Sequence, residues 1–168
     1  MNQYGLILKE GRPELLLQGT PLAGKTFVCN PIDAANLSRK VFLLDVQAEE
    51  HLCFFALNIK GEVLGTFEIA HGTASGCMVT PREFLIRLLL VGATQFIAVH
   101  NHPSKDPKPS HEDWKFTERL FEASDLIGIE LLDHVIVGGE NQYSMRENDC
   151  TISVSYTHLR AHETRSNL

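Results

Sequence analysis

Residues 95–113 are QFIAVHNHPSKDPKPSHED, and this stretch decides the expected fold. Its apolar beginning, QFIAVH, predicts a short strand that is buried on both faces. Three prolines then hold a loop extended, and Ser110 is a typical N-cap residue, so a helix is expected to begin there. The stretch therefore predicts a strand, a stiff loop and a helix in succession.

Three side chains of this stretch can bind a metal ion. His100 and His102 are two residues apart at the end of the strand, so both rings can point to the same side. Asp113 lies in the first turn of the helix and can face back toward the strand end. Two imidazoles and one carboxylate are the ligands of an open zinc site, with a position left for water. Asp113 can equally be the capping-box partner of Ser110, and Ser110 itself needs no role beyond that of N-cap. Metal binding and capping by Asp113 are compatible.

The remainder of the chain alternates between predicted strands and helices. Strands are expected at residues 4–9, 15–18, 51–59, 63–70, 95–100 and 129–137. Helices are expected after the Asn30-Pro31 cap, over residues 84–91 and over residues 110–124. This order predicts an α/β fold in which helices flank a mixed β-sheet.

Composition limits the class of protein. The chain has 168 residues, 43% of them hydrophobic, which suits one domain with a core and is too little for two. The formal net charge is −6, so direct nucleic-acid binding is not expected. No apolar stretch is long enough to cross a membrane, and no signal segment opens the chain, so we expect a cytoplasmic protein. Four scattered cysteines without a C-x-x-C pair predict neither a cysteine zinc site nor a disulfide framework.

We divide the chain into three parts. Residues 1–30 are predicted to be a short N-terminal extension, residues 31–152 the α/β domain, and residues 153–168 a separate tail. The tail, SVSYTHLRAHETRSNL, resembles a translated sequencing adapter and is expected to be non-native. Its His158 and His162, four residues apart, are therefore excluded as a metal-binding pair.

The metal-binding stretch resembles the JAMM metalloprotease motif, H-x-H-P-x6-S-x2-D. Its particular sequence is HNHPS-DP-PS--D, and it is followed by LLDHVIVG at residues 131–138. These residues are similar to the bacterial RadC family, and the similarity extends over residues 32–152. The resemblance implies a three-layer MPN/JAMM domain, similar to the cytidine-deaminase fold, over residues 31–152. Two departures are visible. Lys105 stands where relatives usually have glycine, and the helix-hairpin-helix region of longer relatives has no counterpart, as in the short forms of the family.

The resemblance also implies roles for the site residues. One zinc ion per chain would be held by three ligands: His100, His102 and Asp113. Ser110 would steady the oxyanion formed in the reaction. A glutamate from an earlier strand would move the proton of the attacking water; we favour Glu68, inside a predicted apolar strand, over Glu62, in a predicted turn. The implied activity is hydrolysis of a peptide or isopeptide bond, in a peptide or protein substrate, by a zinc-activated water.

A non-catalytic or DNA-associated accessory role in repair or recombination, for a protein of a mobile element, stays open. The letters HNH do not indicate an HNH nuclease, whose motif residues lie far apart, and a zinc nucleobase deaminase would need P-C-x-x-C. His134, within LLDHVIVG, is expected to belong to the core or to support a ligand rather than to bind metal.

Overall fold

The computed structural model describes residues 1–19, 24–72 and 79–148; the predicted tail lies outside these ranges. A mixed sheet of seven strands runs through them in the order β2-β1-β4-β3-β5-β6-β7. The strands are β1 (Gln3–Lys9), β2 (Arg12–Gln18), β3 (Glu50–Leu57), β4 (Val63–Gly72), β5 (Gln95–Asn101), β6 (Glu130–Gly138) and β7 (Asn141–Ser144). The helices are α1 (Pro31–Phe42), α2 (Pro81–Val91), α3 (His111–Leu126) and α4 (Met145–Asn148).

Strands β1 and β2 form a hairpin at one edge of the sheet. The two residues of its turn, Glu10 and Gly11, have φ values of 50° and 76°, the left-handed conformation of tight hairpin turns. Pro13 is tolerated because β2 is an edge strand. Strand β1 also pairs in parallel with β4 through Gln3 and Thr66. These first strands therefore extend the sheet that carries the rest of the domain.

Local caps determine where the helices begin. At α1 the Asn30 side chain accepts a hydrogen bond from the Asp33 backbone N–H, and Pro31 occupies the first helical position. At α2, Thr80 and Glu83 form the capping box expected from the sequence. Within the three described ranges, every helix is too short or too polar to span a bilayer.

The hydrophobic core is split by the sheet into two layers. On one face, buried residues of α1 such as Ala34 and Leu37 pack against Phe55 and Val99. On the other face, Phe84 of α2 and Leu120 of α3 join the central strands, and further rings pack there, including Phe54, Phe67 and Phe96. The fold is thus α/β with helices on both faces of a mixed sheet, which confirms the predicted class.

Several elements begin or end at one end of the central strands, and "this edge" below means that end of the sheet rather than an edge strand. The parallel strands β5 and β6 both end there, β3 begins there because it is antiparallel to β5, and β4 ends beside it. The loop after β5 leads to the first turn of α3 at the same edge. Polar side chains that are distant in sequence can therefore meet at this edge.

Candidate metal centre

The end of β5 and the start of α3 bring together the three predicted metal ligands. The Nε2 atoms of His100 and His102 lie 3.0 Å apart. Asp113 Oδ1 is 3.3 Å from Nε2 of His100, and Asp113 Oδ2 is 3.5 Å from Nε2 of His102. All three offer ligand atoms within 4.8 Å of one another, so one ion could contact the whole set.

Backbone contacts of the loop after β5 hold His102 in place. The His102 N–H donates to the Val137 carbonyl, which continues the pairing with β6 beyond β5. The loop packs closely on Gly138, where a Cβ would stand 2.7 Å from the Lys105 carbonyl oxygen. Lys105 itself has φ 65°, a left-handed value that favours glycine. The glycine that the resemblance leads us to expect at this position would adopt this conformation without strain.

Asp113 also caps α3, as the sequence predicted. The Ser110 hydroxyl and backbone N–H donate to Asp113 Oδ2 at 2.6 and 2.7 Å, and the Asp113 N–H donates back to Ser110 Oγ. The second carboxylate oxygen, Oδ1, is the one directed at His100. Capping thus orients the carboxylate toward the histidines, and both predicted roles of Asp113 are compatible in the structure.

A chain of buried hydrogen bonds determines the protonation of His100. The Thr117 hydroxyl donates to the Asp113 carbonyl at 2.7 Å, so it accepts from His134 Nδ1, 2.6 Å away. His134 Nε2 is then unprotonated and accepts from Nδ1 of His100 at 2.8 Å. In this arrangement every group is satisfied, and Nε2 of His100 carries a lone pair directed at the cluster.

His102 also carries a lone pair on Nε2, as the result of a different contact. Its Nδ1 lies 2.9 Å from the Asp106 carbonyl oxygen, which can only accept, so Nδ1 is the protonated nitrogen. The two Nε2 lone pairs of His100 and His102 therefore face each other across 3.0 Å. Only a proton or a cation between them relieves this repulsion, and neutral imidazoles with a carboxylate are the ligands that zinc requires. The residues present fit a zinc ion.

The electrostatic environment keeps the carboxylate ionised. Burial alone would raise the pKa of Asp113, but the contact with the His102 ring, the hydrogen bonds from Ser110 and the nearness of His100 lower it well below its usual value. Burial, and then the neighbouring His134, lower the pKa of His100 far below that of a free histidine. Asp113, 3.5 Å from Nε2 of His102, would accept a hydrogen bond from the protonated ring and so raises the pKa of His102. The negative carboxylate of Asp113 thus faces two imidazoles: His100, which stays neutral, and His102, which is more easily protonated.

The cluster opens into a cavity of about 520 Å³ at the same edge. Its lining includes His100, Asp113, Glu50 and Phe116. Glu50 lies on the same sheet face as His100, because it is two residues before Leu52, which pairs with His100. Its negative charge also contributes to the raised pKa of His102. Glu50 is therefore a carboxylate beside the predicted metal position.

The two glutamates singled out from the sequence lie elsewhere. Glu68 pairs in register with Cys53, whose other partner is Val99, so its side chain is on the sheet face opposite His100. There it contacts the Nδ1 atoms of His51 and His71. Glu62 follows the β3–β4 turn, at the far end of these strands, and pairs with Lys25 at 3.0 Å. The role assigned to Glu68 stays a prediction.

Sequence reasoning missed two residues of this site, Glu50 and Thr117. Thr117 could have been found, since it lies four residues after Asp113 and so on the same face of α3. Glu50 gives no such signal, because it belongs to another strand and meets the cluster only through the register of β3 with β5.

Comparisons with known proteins agree with the fold. Residues 28–150 match the family model described as the RadC-like JAB domain. A UPF0758 protein of Clostridium acetobutylicum is 42% identical over 120 residues, which are 71% of this chain and 52% of that protein. The UPF0758 protein YsxA of Bacillus subtilis is 42% identical over 118 residues, 70% of this chain and 50% of the relative. A UPF0758 protein of Trichormus variabilis is 35% identical over 139 residues, 79% and 57% of the two chains.

The chain spans about half the length of the curated relatives that it matches. The match includes the whole of the metal-binding stretch and the LLDHVIVG strand. With a family model that covers most of the chain, and with relatives at about 42% identity, the chain belongs to the RadC family.

Proposed function

We propose that this domain is a zinc-dependent hydrolase that cleaves amide bonds of peptide or isopeptide type. The observation that carries the proposal is the cluster of His100, His102 and Asp113, in which the contacts behind each histidine leave both Nε2 lone pairs directed inward. One cation among these three side chains would contact a ligand atom of each, since the atoms lie within 4.8 Å of one another. Membership of a family with the JAB fold supports the same conclusion.

Each residue has a defined task in this proposal. His100, His102 and Asp113 would hold the zinc ion, which when bound supplies an acidified water at neutral pH and polarises the substrate carbonyl. Ser110 is the oxyanion donor of the scheme: its hydroxyl now donates to Asp113 Oδ2, and a rotation about its Cα–Cβ bond would redirect it. Asp113 keeps the backbone N–H of Ser110 as a partner during that rotation.

The proton must be carried by a carboxylate that can reach the reacting atoms. Glu50 lines the cavity and lies on the sheet face of His100, whereas Glu68 is held by two histidines on the other face. We therefore propose Glu50 as the group that takes the proton of the attacking water and passes it to the leaving amine. The sequence-based prediction for Glu68 is retained as the competing assignment.

Metal analysis and a cleavage screen test this function together. Purified protein should retain zinc through His100, His102 and Asp113, and His102→Ala should lose that zinc because two protein ligands hold it weakly. His111→Ala, an exposed histidine one residue before the first-turn acids of α3, is the matched control and should keep the zinc. Equal zinc content in the His102→Ala and wild-type proteins would contradict the metal assignment.

Activity is measured on a library of fluorogenic peptides and isopeptide-linked substrates. Glu50→Gln should retain zinc and lower kcat by about 10²-fold or more, the usual effect of removing a general base. Glu68→Gln should lower kcat less than Glu50→Gln does. A larger loss of kcat in Glu68→Gln would favour the sequence-based assignment of Glu68 over Glu50. Zinc binding without cleavage of any substrate would contradict the hydrolase and favour the accessory role.

A further inference from the structure

A second cluster of metal-binding side chains lies at the same edge of the sheet. It consists of His51 from β3 with Glu68 and His71 from β4. Glu68 Oε1 is 3.0 Å from Nδ1 of His51 and 2.9 Å from Nδ1 of His71. The two rings stack, with their centroids 5.3 Å apart and their planes at 25°. All three ligand atoms lie within 4.8 Å of one another.

A strand irregularity creates this cluster. Residues three apart in a regular strand, such as Glu68 and His71, point to opposite faces. The pairing of β3 with β4 shifts between Leu52 and Cys53, so that β4 has one extra residue there. The shift places His71 on the same sheet face as Glu68, directly across from its pairing partner His51 on the neighbouring strand. Such bulges re-aim side chains next to functional sites, and here the bulge completes a set of three ligands.

The second cluster is separate from the His100 centre but reaches the same cavity. Glu68 and Cys53 are paired on the sheet face opposite His100, so the two clusters share no ligand. His51 and His71 nevertheless both line the cavity that His100 and Asp113 line. A ligand in that cavity would meet both clusters.

Two imidazoles and one carboxylate with an open side suit a first-row divalent cation. The side chains are 15% exposed at His51, 35% at Glu68 and 62% at His71, so an ion can enter from the cavity side and keep water ligands. Bonds of about 2.0 Å to a tetrahedral zinc ion separate its ligands by roughly 3.3 Å. The present separations of 2.9 and 3.0 Å require only small movements to reach that value.

We propose that His51, Glu68 and His71 form a second site for a first-row divalent cation such as zinc, at the rim of the cavity. The proposal does not depend on the hydrolase activity, because it requires only these three side chains. It implies up to two zinc ions per chain, one in each cluster.

Zinc stoichiometry tests the proposal. All proteins carry His158→Ala and His162→Ala, so that the tail pair cannot bind metal. After dialysis against zinc and removal of the excess, inductively coupled plasma mass spectrometry should give about two zinc ions per wild-type chain. His71→Ala and Glu68→Gln should each remove one ion, His102→Ala should remove the other, and His71→Ala with His102→Ala should remove both. His111→Ala, outside both clusters, is the control and should retain two.

The pattern of losses separates this proposal from the first site. The wild type could bind only one zinc ion, and His102→Ala could lose it while His71→Ala keeps it. That result would overturn the second site and leave the first intact. Two zinc ions that survive both His71→Ala and Glu68→Gln also overturn it. His71 is mostly exposed, so its replacement should preserve the fold, which circular dichroism verifies; Glu68→Gln provides a second, independent variant.

Discussion

Replacement of Thr117 by valine tests whether the buried hydrogen-bond chain positions the metal ligands. Valine has nearly the shape of threonine but no hydroxyl, and Thr117 is only 1% exposed. The change removes the bonds of Thr117 to the Asp113 carbonyl and to His134 Nδ1. His134 then loses the contact that determines which of its nitrogens is protonated, and His100 loses its oriented acceptor.

The expected magnitude follows from these contacts. Two lost hydrogen bonds cost about 1 kcal/mol each, and a stranded buried N–H on His134 adds about 1 kcal/mol or more, so the free energy of unfolding should fall by about 3 kcal/mol. For a domain of this size that lowers Tm by roughly 6–12 °C. Loss of the partner behind a metal-binding histidine typically weakens metal affinity by about 10- to 100-fold.

Thr66→Val is the matched control. Thr66 is fully buried, and its hydroxyl donates to the Asn2 carbonyl at 3.4 Å, far from the cluster. It should lower Tm by roughly 2–4 °C, as for one lost hydrogen bond, and leave zinc affinity unchanged. Tm is measured on both apoproteins in a chelator, and zinc affinity by chelator competition. If Thr117→Val binds zinc within about twofold of the wild type, the chain does not position His100, and our reasoning fails.

Three further predictions concern the loop, its conformation and the tail. Gly138→Ala should lower the free energy of unfolding by about 1–3 kcal/mol and weaken zinc binding, because the new Cβ would displace the loop that carries His102; unchanged chemical denaturation and zinc affinity would contradict this. Lys105→Gly should stabilise the protein by up to about 1 kcal/mol, since glycine adopts φ 65° without strain, and a lower denaturation midpoint would show that the lysine side chain matters more. Deletion of residues 153–168 should leave both Tm and zinc content unchanged in scanning calorimetry and metal analysis, and a drop of many degrees would show that the tail packs on the domain.

The sequence alone determined the features that depend on neighbouring residues. The alternation of side chains along β5 and into the residue after it puts His100 and His102 on one side, and the Ser110 cap orients Asp113 in the first turn of α3. Both effects act over a few residues, so spacing is sufficient to predict them. The order of apolar strands and capped helices likewise predicted an α/β fold, which the sheet and its flanking helices confirm.

Only the tertiary structure decided which distant residues join these ligands. Glu50 meets the cluster through the register of β3 with β5, and the bulge between β3 and β4 brings His71 to the sheet face of Glu68 and His51. A shift of one residue in either pairing would move each of these side chains to the opposite face of the sheet. Register is set by the packing of the whole core rather than by adjacent residues, so no local pattern in the sequence could reveal it.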